Sequence, residues 1–499
     1  MIDSHNVKPA RVRMAPSPTG HFHIGGARTA LYNYLFARQT GGQFILRIED
    51  TDLKRNTPEA QAELMEALRW LGIQWDEGPE VGGPHAPYNQ TARKQIYLEH
   101  ARELVARGHA YYCFCAPERL AQVRAEQQAR KVSPRYDGLC RALPPAEGAA
   151  RAAAGEKHVI RFKTPKTGAT TVRDYLRGDI TVDNSTIDDF ILVKSDGFAL
   201  YHLAAMVDDH LMGITHVFRG SEWLGTFPLH ALIIRAFGWE EPVWAHLSVF
   251  LKPSGKGKMS KRDVTSEQSI FVLGLRDLGY VPEAINNWIA LMGASFGSEE
   301  RLLTEAELIA GFSLDHLSPS AARVNFEKLD YFNGQYLRQL EAGDLAARVR
   351  PFLEQAGLRP DPEVLRQVAP LIRERIVTLD DAVEMAGFFF RSAPRPAAEA
   401  LLVKGLTAAQ CGTSVRLARA AISGLGAAGF THAALEEALR ALAEGLGQKP
   451  GQLFSLLRVA VTGQPVSPPL FETMLVIGRD EVLRRLGFAE DQLASAAAA

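Results

Sequence analysis

Hydrophobic and polar positions change rhythm several times along this chain. Val12 to Met14 reads as a short strand entering a core, and the Pro16-Ser17-Pro18-Thr19-Gly20 run after it can continue neither strand nor helix, so the chain must turn. Apolar positions then recur at Ala27, Ala30, Leu31, Tyr34 and Leu35, the spacing of one helical face. The segment 43–49 is again strand-like, and Thr57-Pro58 opens a helix with Leu64, Ala67, Leu68 and Leu71 on one side. Residues 92–198 carry β-rich stretches at 158–163 and 187–193 and read as an insertion between two halves of a nucleotide-binding fold, after which 199–251 returns to α/β texture. Residues 252–343 hold a basic loop and then helices, one of them over 285–291. From about 344 the chain is rich in Ala, Leu, Arg and Glu at helical spacing, which predicts an all-α region ending in a frayed small-residue tail. At 499 residues several domains are expected: 1–91 with 199–251, then 92–198, 252–343 and 344–499.

Composition narrows the class. A net charge of −1 is not that of a nonspecific polyanion binder, although a local patch such as Arg119, Arg124, Arg130, Lys131 and Arg135 can still meet nucleic acid. No apolar run is long enough for a membrane helix, and residues 1–20 lack the apolar core of a signal peptide, so no membrane association is expected. Four cysteines without an export signal suggest a reducing cytoplasm. Three of them, Cys113, Cys115 and Cys140, cluster in sequence with Tyr136 just before the last; thiolates at such spacing bind zinc, and ordinary free thiols are the other reading. Cys411 reads as a buried apolar residue.

Two short motifs carry the chemistry. The turn after the first strand runs into His21, His23, Gly25 and Gly26, giving strand, glycine-rich turn and helix, a unit that presents backbone N–H groups to an anion. Read alone it is equally a helix start that happens to carry histidines. The second motif, Lys258-Met259-Ser260-Lys261-Arg262, follows Gly255 and Gly257 and lies beside Lys252 and Lys256; by itself it reads as a solvated basic loop. Together they suit a triphosphate held at one end and pulled at the other, with charge stabilised as pyrophosphate leaves. No phosphate-binding P-loop and no dinucleotide fingerprint is present. Arg13 and Arg47 flank the first motif on what read as adjacent strands, Glu49 shares the sheet face of Arg47, and Arg219 ends an apolar run where open α/β sheets bind ligands. Arg47 and Glu49 are also open to reading as a structural ion pair. Asp208-Asp209-His210 reads either as acid–base or metal machinery or as scaffolding of the site.

These residues resemble the class I aminoacyl-tRNA synthetases and, more narrowly, the bacterial glutamyl-tRNA synthetases. The resemblance rests on the two motifs and on Arg13-Met14-Ala15-Pro16-Ser17-Pro18-Thr19-Gly20, Arg47-Ile48-Glu49-Asp50-Thr51-Asp52, Lys194-Ser195-Asp196-Gly197, Tyr201-His202-Leu203-Ala204 and Val207-Asp208-Asp209-His210, and it runs from about 10 to about 490. It implies an α/β multi-domain protein: a Rossmann-type class I catalytic domain, an α+β insertion that grips the tRNA acceptor end, a stem-contact domain with the basic loop, and an all-α anticodon-binding region. It implies glutamate and ATP with Mg2+ as substrates and tRNA(Glu) as acceptor, for a cytoplasmic monomer. His23, Lys258 and Lys261 would be catalytic. ATP would meet His21, Gly25, Gly26, Glu222, Trp223, Lys258, Lys261 and Arg262. Glutamate would meet Arg13, Ser17, Glu49, Tyr201 and Arg219, and Arg373 or Arg375 would read the anticodon. Structural zinc would be held by Cys113, Cys115, Cys140 and, as fourth ligand, Tyr136.

The chain departs from the pattern at three points: Gly26 stands where the class has histidine, Arg262 where it has serine, and Ala205 where the family often has asparagine. Trp223 is open to being plain core. The other readings weighed are a glutaminyl enzyme, which ends in β-barrels, a truncated paralogue that glutamylates a tRNA base, an RNA-binding scaffold with a dead site, and a small-molecule nucleotidyltransferase. The helical C-terminal region disfavours the first two, intact His23, Lys258 and Lys261 the third, and the long C-terminal extension the last.

Overall fold

The computed structural model describes residues 9–52, 55–259, 269–298 and 300–498, so Ser260, Lys261 and Arg262 lie outside the described residues. Chain contacts divide the molecule into two compact units, Met1–Gly274 with Ile285–Phe326, and Leu275–Ala284 with Glu327–Ala499.

The first unit opens with strand β1 (Arg11–Met14), helix α1 (Ile24–Gln39) and strand β2 (Gln43–Leu46), and β1 and β2 pair in parallel with Arg13 opposite Ile45. Parallel neighbours need a crossover, and α1 supplies it. The strand expected over 43–49 ends at Leu46 because its partner changes: the Arg47 N–H still donates to the Met14 carbonyl, but the Ile48 N–H donates to Tyr88. Helix α2 (Pro58–Trp70) begins at the Thr57 cap, whose side chain accepts from the Ala60 N–H, and buries Leu64, Ala67 and Leu68.

The stretch read as an insertion holds α3 (Lys94–Ala106), β3 (Ala110–Cys113), α4 (Pro117–Ala129), α5 (Pro145–Ala153), β4 (Val159–Phe162), β5 (Ala169–Asp174), β6 (Gly178–Asp183) and β7 (Ile191–Val193). Strands β3, β4 and β7 form one antiparallel sheet. The strand expected over 187–193 is shorter, since Asn184–Thr186 is a 3-10 turn capped by Asp183 and the Asp188 side chain accepts from the Tyr136 N–H. The β5–β6 hairpin, which hydrophobic patterning did not single out, joins a four-stranded sheet in the order β6-β5-β9-β8, where β8 is His216–Gly220 and β9 is Val243–Leu247. Helices α6 (Tyr201–Leu211) and α7 (Phe227–Phe237) precede those two strands. The β1 start lies beside β8, where the Thr215 N–H donates to the Arg11 carbonyl. A core that includes Ile45, Tyr97, Leu203, Ile233 and Trp244 fills the space between sheet and helices.

The second unit is helical, as expected from 344 onward, with Ala342–Gln355, Pro362–Ile372, Ala408–Gly424, His432–Gly445, Pro450–Thr462 and Arg479–Ala498 among its helices. Its core includes Cys411, Val415, Leu453, Leu457 and Leu486.

Candidate active site

The ends of β1 and β8, the start of α1 and the turn before Met259 surround one cavity of about 670 Å³. Its lining includes Arg13, Ser17, His21, His23, Gly25, Gly26, Glu49, Tyr201, Arg219, Glu222, Trp223 and Lys258, so every described residue expected to meet ATP or glutamate is brought to one place.

At the α1 start the arrangement differs from the expectation of free backbone donors. His23 is the N-cap, and its Nδ1 accepts from the Gly25 N–H at 3.0 Å and the Gly26 N–H at 3.2 Å. The Ile24 N–H donates to Ile270, and the Ala27 N–H to the His23 carbonyl. All four leading N–H groups are therefore spent within the protein. Because Nδ1 accepts, a neutral His23 carries its proton on Nε2, so the polar group at this end of the helix is an imidazole and not bare backbone. The glycines serve that cap: a Cβ on Gly25 would sit 2.9 Å from the His23 ring, and one on Gly26 would sit 2.6 Å from Phe22. The buried Phe22 ring thus fills the space where the class pattern has a histidine side chain. His21 is exposed and its Nδ1 lies 2.8 Å from Glu63.

The second motif enters through a tight turn. Gly255 and Gly257 take φ of +74° and +82°, the left-handed region that glycine adopts without strain, and the Gly255 N–H donates to Lys252. Met259 is buried with its N–H on the Phe250 carbonyl, and that anchor leaves Lys258 exposed at the cavity edge.

The side of the cavity that holds Arg13, Glu49 and Arg219 adjoins a buried charge cluster. Arg47 is fully buried and meets Asp209 at 2.7 Å, Glu49 at 3.1 Å and Asp208 at 3.6 Å. Arg13 donates to both Asp209 oxygens, at 3.0 and 3.3 Å. Asp208 also accepts from Arg93, Gln90 and Tyr97. Asp208 and Asp209 are therefore scaffold, and His210 stacks on Trp239 at 3.9 Å. Arg47 is the structural ion-pair partner, whereas Arg13, Glu49 and Arg219 line the cavity. Burial pushes the Glu49 carboxyl up to about 7, outweighing the opposing pull of Arg47 and Arg13, and the nearby Asp209 carboxylate adds to the rise. Burial likewise raises the Tyr201 phenol to about 12. Trp223 is not plain core: it is half-buried and packs on Tyr201 with ring centroids 4.3 Å apart.

Arg219 is held by residues the sequence did not single out. Its Nε donates to His246 Nε2 at 2.9 Å, its Nη1 meets His230 Nδ1 at 2.8 Å, and its buried Nη2 has no hydrogen-bond partner among the described residues. His230 and His246 stood alone in apolar runs, a pattern that ordinary core histidines share.

Cys113 ends β3, Cys115 lies in the turn before α4 and Cys140 in the 3-10 turn Leu139–Ala142, and their thiols lie within 4.8 Å of one another. The Tyr136 hydroxyl is 3.5 Å from both Cys113 and Cys115, and it accepts from the Cys140 N–H at 2.8 Å. Three sulfurs so placed suit a metal ion. In the helical unit, Arg375 is exposed in the turn after Pro362–Ile372, while Arg373 donates to the Leu340 carbonyl at 3.3 Å and so is partly tied down.

Sequence and structure comparisons agree with this geometry. Residues 9–331 match the model for the catalytic domain of class I tRNA synthetases (E and Q), and 344–489 match an anticodon binding domain. A glutamate–tRNA ligase of Roseiflexus castenholzii is 46% identical over 98% of this chain and 97% of its own length. That of Chloroflexus aurantiacus is 46% identical over 96% and 97%. A crystal structure of a glutamate tRNA ligase from Elizabethkingia meningosepticum, in complex with its amino acid, superposes with a TM-score of 0.89 at 37% identity, covering 97% of this chain and all of that one. With both of its units matched, the chain belongs to the glutamate–tRNA ligase family of class I aminoacyl-tRNA synthetases.

Proposed function

We propose that this chain activates glutamate with ATP to glutamyl-adenylate and transfers the glutamyl group to the 3′ end of tRNA(Glu). The observation that carries this reading is the single cavity in which Arg13 and Arg219 face His23, Trp223 and Lys258. An α-carboxylate oxygen of glutamate attacks the ATP α-phosphorus, the bond to the β-phosphate oxygen breaks, and pyrophosphate leaves with its electron pair. A terminal ribose hydroxyl of the tRNA then attacks the acyl carbon and AMP leaves, the hydroxyl proton passing to solvent.

The first nucleophile is already ionised, so the site supplies position and charge rather than an acid–base pair. Arg13 and Arg219 take the carboxylates of glutamate, Glu49 takes its ammonium, and Ser17 and Tyr201 complete the pocket. Glu222 and Trp223 take the adenosine, with His21, Gly25 and Gly26 beside it. His23 through Nε2–H, and Lys258 with Lys261 and Arg262, stabilise charge on the departing phosphates. Mg2+ enters with ATP as part of the substrate.

For the RNA, 92–198 grips the acceptor end, 252–343 follows the stem, and 344–499 reads the anticodon with Arg375, around a catalytic domain of 1–91 and 199–251. Zinc suits the sulfur-rich set of Cys113, Cys115 and Cys140 with Tyr136 as fourth donor, and when bound it braces the start of that insertion. The chain acts as a cytoplasmic monomer; no helix among its described residues is long and apolar enough to cross a membrane. The test is charging of purified glutamate and glutamine tRNAs, separately, with glutamate and ATP. Charging of glutamate tRNA alone marks a discriminating enzyme and charging of both a misacylating one; charging of neither by folded protein overturns the proposal.

A further inference from the structure

Arg13, Arg28 and Arg219 line the cavity, and the two assigned to the substrate carboxylates, Arg13 and Arg219, are neutralised differently. Four guanidiniums, Arg13, Arg47, Arg93 and Arg219, share the buried site with three carboxylates, Glu49, Asp208 and Asp209. Arg13, Arg47 and Arg93 each make ion pairs with these carboxylates. Among the described residues Arg219 has none within ion-pair distance; its closest polar contacts are two imidazoles, with the Tyr201 phenol beside it and Asp209 acting only from further off.

Those imidazoles continue outward as a chain of fixed polarity. A guanidinium only donates, so His246 Nε2 and His230 Nδ1 must both offer lone pairs. His246 then carries its proton on Nδ1 and donates it to Asp174 Oδ2 at 2.7 Å. His230 carries its proton on Nε2 and donates to His202 Nδ1 at 2.9 Å. Asp174 is itself held by the Leu176, Arg177 and His246 backbone N–H groups, and Asp174, His230 and His246 are all buried. Four elements, β5, α6, α7 and β9, thus converge on one side chain of β8. Each contact fixes the orientation of the guanidinium while leaving its charge unbalanced.

We propose that Asp174, His246, His230 and His202 form a positioning relay that locks Arg219 in place, with no ion-pair partner among the described residues and its Nη2 left to take a substrate carboxylate. Neutral acceptors are the feature that matters: a carboxylate in their place would satisfy Arg219 equally well but would cancel the charge that attracts an anionic substrate. The Trp244 ring, 4.7 Å from the guanidinium, forms the apolar floor beneath it.

This relay rests on the glutamate-activating function proposed above, and the experiment separates the two. Steady-state tRNA charging is measured for wild type, His230→Leu and His230→Asn, varying glutamate and ATP in turn. Leucine removes the acceptor for Nη1, whereas the asparagine side-chain oxygen can stand near the position of Nδ1. The relay predicts that His230→Leu raises KM for glutamate about tenfold or more, the effect of losing a charge-assisted hydrogen bond, with KM for ATP changed less than about twofold. His230→Asn should recover most of that loss. If His230→Leu does not fold, the pair His246→Leu and His246→Gln asks the same question of Nε. An unchanged KM for glutamate, or KM values for glutamate and ATP rising together without recovery in the amide variant, overturns the relay. A wild type that charges no tRNA with glutamate overturns the proposed function instead.

Discussion

At the residue scale, Glu49 couples the site to pH. Its carboxyl sits at about 7 because burial outweighs the guanidiniums of Arg47 and Arg13, so the folded chain holds this proton more tightly than the unfolded one. The contribution to stability is full below the ordinary carboxyl range and is lost as pH rises through about 7. Binding runs the other way: an acceptor for the substrate ammonium must be ionised. KM for glutamate should therefore rise as pH falls from about 8 to about 6, and Glu49→Gln should flatten that profile while weakening binding throughout. A profile with the same inflection in both proteins would assign the titration to another group. Arg13, Arg47, Glu49 and Arg219 were legible in the sequence because charged side chains at the ends of apolar runs are costly without a use. Asp209 was visible too, but which groups it pairs was not, and His230 and His246 were not visible at all, since they reach the arginines only through tertiary pairing; only the fold reveals that Arg47 is scaffold and that Arg219 has no counter-ion among the described residues.

At the element scale, the strand–turn–helix of β1 and α1 was readable because proline, glycine and helical spacing act locally. What local pattern missed is that the N-terminal donors of α1 are already used. The site therefore presents an imidazole at this helix end in place of bare backbone. Gly26→Ala tests this: its Cβ would meet the buried Phe22 ring at 2.6 Å, so the ring or the first helical turn must shift. A destabilisation of roughly 1–3 kcal/mol is expected, read as a lower melting temperature, together with slower charging as the His23 cap is disturbed. Unchanged melting and charging would show that the turn has room to spare. The β5–β6 hairpin escaped notice because Thr170, Val172 and Asp174 alternate with exposed residues over only six positions, Ala169–Asp174. Yet it delivers Asp174 to the sheet that carries Arg219, which no reading of the segment by itself reveals.

At the scale of the whole molecule, two units with separate cores match two family models in chain order. The helical second unit was evident from composition and spacing alone, because amphipathic helices write their period into the sequence. The cysteine cluster makes a global prediction. Purified protein should carry about one zinc per chain, in keeping with a closed structural site, and Cys115→Ser should lose it with lower melting of the first unit. Metal-free protein with unaltered charging would leave the thiols as ordinary core. The central claim is that one cavity binds glutamate through Arg219 and joins it to tRNA with ATP. The most direct measurement is kcat/KM for glutamate in charging of glutamate tRNA, for wild type beside Arg219→Gln. The account predicts ATP-dependent charging by wild type and a loss of about a hundredfold or more in the variant, as when a buried charged partner is removed. Equal kcat/KM in the two proteins, or no charging by folded wild type, would contradict it.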